Sequence, residues 1–152
     1  VYAHSEAITN YGHNNQSLGH QWGGNFKEFI FIARYHKGRF FSDAKITSGV
    51  RGLDFNTIAD SKNYGGDIYK DYDDARAFDT NVKVGQGNKT TIFIVDFQAG
   101  YLVNPSTNLK FFGSVIYRNF NPTQETAITF SEDTTWFSIG LRCDIFNWYF
   151  DY

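Results

Sequence analysis

The chain has no run of about 18 apolar residues, which excludes a transmembrane helix. It has a single cysteine, Cys143, so no internal disulfide can staple it. Neither sign of charge dominates: the net charge is −2, and no basic footprint for nucleic acid is present. There is no initiator methionine and no signal peptide; the sequence opens on Val1-Tyr2-Ala3-His4. No serine or cysteine lies in a motif with a base and an orienting group, so an enzyme is not expected. Aromatic residues are abundant, at 19% of 152 residues. Girdles at two membrane interfaces would use such an excess. A soluble β-sandwich or lectin-like domain is the competing class.

Alternation decides between these classes. From Trp136 onward, Phe137, Ile139, Leu141, Cys143 and Ile145 share one face, while Trp136, Ser138, Gly140, Arg142 and Asp144 share the other. A period of two with one apolar and one charged face is a half-buried strand. The same grammar recurs over Asn25 to His36, Arg39 to Val50, Thr90 to Tyr101 and Leu109 to Arg118. Five full strands are therefore expected, with Val1 to His4 as the end of a sixth. Cys143, on the apolar face, is expected to act as a small hydrophobe.

Connection lengths alternate. Loops about 5–24, 51–88 and 119–134 are long, whereas turns about 36–39 and 103–108 are short. Long loops on one side and short turns on the other is the pattern of outer-membrane barrels, with the short turns and the C-terminus periplasmic. Six strands cannot close such a barrel. The expectation is thus an all-β fold, the C-terminal portion of a larger antiparallel transmembrane β-barrel, its remaining strands lying before Val1.

Charge placement sharpens this reading. Arg34, Asp43, Lys45, Asp96, Lys110, Arg118, Arg142 and Asp144 all fall opposite the aromatic face, as a salt-bridge network on a lumen wall would. The opposite set, with Phe29, Phe31, Phe93, Val95, Phe97, Val115, Phe137, Ile139 and Leu141, is expected to face lipid. A charge at mid-bilayer there would cost roughly 2–4 kcal/mol. Apolar inward residues such as Ile32, Ile94 and Ile116 suggest a packed or plugged lumen, leaving the loops as the working surface.

The closing run Gly140-Leu141-Arg142-Cys143-Asp144-Ile145-Phe146-Asn147-Trp148-Tyr149-Phe150-Asp151-Tyr152 resembles the C-terminus of Bacteroidota outer-membrane barrels. Asn10-Tyr11-Gly12-His13 with Leu18-Gly19-His20, Asn63-Tyr64-Gly65-Gly66-Asp67 and Val84-Gly85-Gln86-Gly87-Asn88 add to it. Together these resemble the RemB-like gliding-motility proteins, which are similar to Wzi-like capsule-assembly barrels. The resemblance implies a non-enzymatic partner of a type IX secretion or gliding-motility complex at the cell surface. Its partners would be outer-membrane lipid and other outer-membrane or periplasmic proteins. Surface polysaccharide binding and a substrate channel are the rival roles.

Within the loops, Trp22, Tyr64, Tyr69 and Tyr72 are candidates for recognition, by protein contact or sugar stacking, or else pack together over the barrel mouth. Asp67, Asp71, Asp73, Asp74 and Asp79 could be imagined around Ca²⁺, but they lack the spacing of an EF-hand loop, and a solvated acidic loop is the simpler reading. His4, His13 and His20 invite the same comparison with zinc, against loop hydrogen bonding. No metal and no cofactor is expected.

Overall fold

The computed structural model describes residues 7–14, 16–71, 73 and 75–143. The expected strand end at Val1 to His4, Tyr72, Asp74, Asp144 and the closing aromatic run lie outside the described residues. What is described is all-β with antiparallel sheets. Its only helical piece among the described residues is a 3₁₀ turn at Ala7–Thr9. No helix is long and apolar enough to cross a membrane, which has no bearing on crossing by strands.

Seven strands follow in chain order: β1 (Gly12–His13), β2 (Gln16–Ser17), β3 (Phe26–Lys37), β4 (Phe40–Leu53), β5 (Asn88–Asn104), β6 (Leu109–Pro122) and β7 (Glu132–Arg142). β1 and β2 form a small antiparallel pair inside the first loop, with Gly12 opposite Ser17 and His13 opposite Gln16. The other five form one sheet in sequential order, β3-β4-β5-β6-β7. β3 and β7 are its edges, so the sheet is not closed on itself among the described residues.

The two short turns have local causes. Between β3 and β4 only Gly38 and Arg39 remain, and Gly38 takes a φ of +59°, as a two-residue hairpin demands. Between β5 and β6, Asn104 Oδ1 accepts the Ser106 N–H at 2.9 Å, and Asn108 closes the turn with a φ of +51°.

The strands run further than the side-chain alternation indicates. β4 continues to Leu53, β6 continues through Asn119-Phe120-Asn121 to Pro122, and β7 begins at Glu132. Polar groups sustain the pairing there. The Asn88 side chain, fully buried, donates to Gln124 O at 2.7 Å and accepts from Gln124 N at 3.0 Å, imitating a ladder pair. Thr123 gives Lys89 O both its N–H and its hydroxyl.

The chain divides into two compact units. The first comprises Val1–Phe29, Thr47–Phe93 and Asn119–Asp133; the second comprises Ile30–Ile46, Ile94–Arg118 and Thr134–Tyr152. The first unit holds the long loops and most of the buried residues. Its interior is strongly polar: beside Trp22, Ile68 and Ile92 lie Asn10, Thr47, Asp54, Asn63, Asn88, Thr90 and Thr129. The second unit is sheet with little interior. Phe41 is its buried hydrophobic side chain.

Candidate functional site: a charged sheet face and a folded loop cluster

In the second unit the five strands present two unlike faces. On one, Phe31, Tyr35, Phe40, Phe97, Tyr101, Phe111, Phe137, Ile139 and Leu141 are all exposed, the last three at 79%, 78% and 68%. Phe40 and Tyr101 meet edge to face on it, ring centroids 4.9 Å apart. Val95 and Val115 of the same set are half-buried. In the first unit, Phe29 and Phe93 continue the pattern at 66% and 39% exposure. Apolar side chains are also exposed on the opposite face, Ile30 at 43%, Ile32 at 54% and Trp136 at 67%. Cys143 is also exposed, its Sγ donating to Thr107 O at 3.0 Å.

The other face of the second unit encloses a concavity of about 630 Å³. Arg34, Asp43, Lys45, Asp96 and Arg142 line it, with Ile32, Gln98, Ser114 and Ile116 between them. Two aromatic rings shape this face by lying over glycines on the adjacent strand. The Phe41 ring occupies the space a side chain at Gly100 would need, and the Phe112 ring does the same at Gly140. This cross-strand filling of glycine gaps favours one register.

Part of the expected charge set is described, Asp144 lying outside the described residues. Among the described residues this face holds one ion pair, Arg34 Nε to Asp43 Oδ1 at 3.9 Å, with both side chains well exposed. Two of the cations lie over aromatic rings. Arg142 lies over Phe112, 5.5 Å from the ring centroid, and donates to Gln98 Oε1 at 3.3 Å. Lys110 stands 6.0 Å over Phe41. These two cations are held by ring faces and an amide instead of carboxylates. Lys45, Asp96 and Arg118 have no ion-pair partner among the described residues.

The first unit gathers the loop candidates, but as interior as much as surface. Trp22 is 7% exposed and so offers no stacking platform to a ligand. Its ring fills the space beside Gly49 and meets Phe26 and His20 edge to face at 5.6 Å. His20 stacks on Phe26 at 4.2 Å, accepts the Trp22 N–H at Nδ1, and faces Glu28 Oε1 through Nε2 at 2.6 Å. With Nδ1 an acceptor, the neutral ring carries its proton on Nε2 and donates it to Glu28. His13, by contrast, lies exposed on β1.

Tyr64 and Tyr69 are half-buried. The Tyr64 hydroxyl donates to Asp60 Oδ2 at 2.9 Å, and its ring meets Phe55 and Phe78 edge to face. That contact raises the tyrosine pKa above its ordinary value, desolvation first and the Asp60 hydrogen bond next. The Asp60 carboxyl is lowered in turn, mainly by the Lys62 backbone N–H and then by the Tyr64 hydroxyl. Asp54 is buried, its side chain 3% exposed, and accepts both Tyr64 N at 2.7 Å and Lys70 Nζ at 2.6 Å.

The loop acids serve turns and one arginine. Asp67 accepts Tyr69 N, Asp71 accepts Asp73 N, and Arg76 pairs with Asp79 at 3.0 Å and Asp73 at 3.7 Å. No group of three or more His, Cys, Asp or Glu converges among the described residues.

Asn25, which composition gave no reason to single out, joins the loop cluster to the strands. At a φ of +53°, it offers Nδ2 to the carbonyls of Gly52, Tyr64 and Gln86 at 3.1, 2.9 and 2.9 Å, and takes the Gly85 N–H on Oδ1 at 2.8 Å. The only sequence signal for it is its place after Gly23-Gly24, since asparagine is the commonest non-glycine residue to tolerate positive φ.

No protein-family model, curated protein or solved structure matches this chain.

Proposed function

We propose that this chain is part of an outer-membrane β-barrel that acts, without catalysis of its own, as a partner of a type IX secretion or gliding-motility complex. The observation that carries the membrane reading is the uncovered apolar face. Phe137, Ile139 and Leu141 stand more than two-thirds exposed on β7, while Ser138 and Arg142 occupy the opposite side of the same strand. In water such a face would drive aggregation; in a bilayer it is the expected outer wall. Strands of 11 to 17 residues meet or exceed the roughly 9–11 that a tilted crossing requires. Backbone groups left open in hydrocarbon cost several kcal/mol each, so the reading requires further strands beside β3 and β7.

The loop cluster then lies on the extracellular side, with the C-terminus periplasmic. The partner role follows from the resemblance to RemB-like proteins and from a loop cluster that is folded rather than loose. A preformed surface suits protein recognition, because little ordering entropy opposes binding. Its exposed apolar residues include Ile8, Tyr11, Leu18 and Ile58. Burial of Trp22 removes the strongest sugar-stacking candidate and so weighs against the polysaccharide reading. The test is purification of the native full-length protein in mild detergent, with mass spectrometry of what accompanies it. Stoichiometric secretion or motility components are expected; repeated isolation as a lone barrel would reject the partner role.

A further inference from the structure

The charged face of the second unit carries more positive charge than its acids can balance. Alternation gives it five cations, Arg34, Lys45, Lys110, Arg118 and Arg142, against three carboxylates, Asp43, Asp96 and Asp144, the last of which lies outside the described residues. Among the described residues the one ion pair is loose, at 3.9 Å. Arg142 and Lys110 rest on the rings of Phe112 and Phe41, contacts that hold a cation in place and leave its charge uncancelled. Three of the cations line one concavity of about 630 Å³, which also offers the Gln98 amide and the Ser114 hydroxyl. A concave wall with surplus charge of one sign focuses its field and concentrates counter-ions there.

We propose that this face is an anion-attracting wall, which takes small inorganic or carboxylate anions into the concavity lined by Arg34, Lys45 and Arg142. The inference goes beyond the partner role and rests on the barrel reading only in taking this face to be the one in contact with water. Gln98 and Ser114 supply polar contacts to such an anion, while Ile32 and Ile116 keep the floor from being uniformly hydrated. Asp43 and Asp96 are the opposing groups that line it and limit the attraction.

Trp136 provides a reporter. It is 67% exposed and shares its side of β7 with Ser138, whose hydroxyl meets that of Ser114 at 2.6 Å. The experiment compares quenching of Trp136 fluorescence by iodide and by caesium in the full-length protein. The Trp136→Phe variant is subtracted to isolate the signal. At low ionic strength iodide should quench about three- to fivefold more effectively than caesium, after correction against free tryptophanamide, and the preference should collapse near 1 M inert salt. Lys45→Gln and Arg142→Gln should each reduce the ratio, and Asp96→Asn should raise it. That opposite change guards against a variant that merely loosens the fold. A ratio near unity, a preference for caesium, a ratio indifferent to all three substitutions, or a Trp136 reached by neither ion would overturn the proposal. Failure of the barrel reading shows separately, as a protein that stays soluble without detergent.

Discussion

Asn25 and Gly52 hold each other from both sides: the Gly52 N–H donates to Asn25 O at 2.8 Å, and Asn25 Nδ2 donates back to Gly52 O at 3.1 Å. The contact is close enough that a Cβ at Gly52 would collide with the Asn25 amide and with Gln86 O. Through Asn25, the foot of β3 is tied to the end of β4 and to two points of the loop between β4 and β5.

Removing that tie should loosen the loop before the sheet. Asn25→Ala leaves three carbonyls and one N–H to find other partners, at a cost of about 2–4 kcal/mol for the group. Gly52→Ala should be at least as harmful, because backbone must shift to admit the methyl. Limited proteolysis of the long loop is the measurement. Faster cleavage between residues 54 and 87 is expected in both variants, and unchanged protection would refute the tie.

The Lys70–Asp54 pair should respond asymmetrically. Asp54 is buried and Lys70 is about one-third exposed. Lys70→Met strands a buried carboxylate and should cost about 3 kcal/mol, whereas Asp54→Asn with Lys70→Met should recover part of the loss. Thermal unfolding of the single and double variants gives the comparison. Equal loss in both would show that Lys70 is a surface charge with no hold on Asp54.

Tyr64 and Asp60 set pH limits on the same loop. Asp60 is lowered below its ordinary value of 3.8, so its contribution is present above that pH and is lost as the pH falls through the lowered value. Tyr64 is raised above its ordinary 10.0, so its contribution is full below that pH and is lost as the pH rises through the raised value. The loop should therefore resist proteolysis best between these limits. Tyr64→Phe should remove the alkaline loss and weaken the acid one. A Tyr64→Phe variant with the parent's full pH profile would contradict this.

Glycines under rings should be intolerant in a specific way. Gly140→Val meets the Phe112 ring, and Gly100→Val meets both the Phe41 ring and the backbone oxygen of Phe111. Each should destabilise the folded protein by roughly 1–3 kcal/mol, as overpacking does. Gly140→Val combined with Phe112→Ala should regain part of the loss. Denaturant unfolding of the single and double variants measures this, and simple additivity would show that ring and glycine are not coupled.

The sheet was readable from period-two alternation: Phe137 to Cys143 alternates without interruption, Phe29 to Tyr35 keeps its aromatics on one face although Ile30 and Ile32 stand on the other, and each short turn has its own chemistry. The loop cluster was not readable in the same way. Trp22 reads as an exposed loop aromatic, yet it packs on Phe26 close by in the chain and beside Gly49 on β4, a neighbour that only the folded sheet supplies. Asn119-Phe120-Asn121-Pro122 reads as the start of a long loop but continues β6, where Asn121 O accepts the Thr91 hydroxyl and the following Thr123 N–H reaches Lys89 O across the ladder. Charge placement marked one face, but alternation could not tell that Arg142 and Lys110 would settle on rings instead of carboxylates.

The membrane reading is tested most directly by a nitroxide scan along β7, residues 136 to 142, in outer-membrane lipid, with Cys143 replaced by serine. Relaxation by oxygen, which partitions into lipid, is compared with relaxation by a polar nickel chelate at each position. The account predicts strict alternation: high oxygen and low nickel access at 137, 139 and 141, with the reverse at 136, 138, 140 and 142. Nickel access at Phe137, Ile139 and Leu141 equal to that of their neighbours would place that face in water and contradict the account.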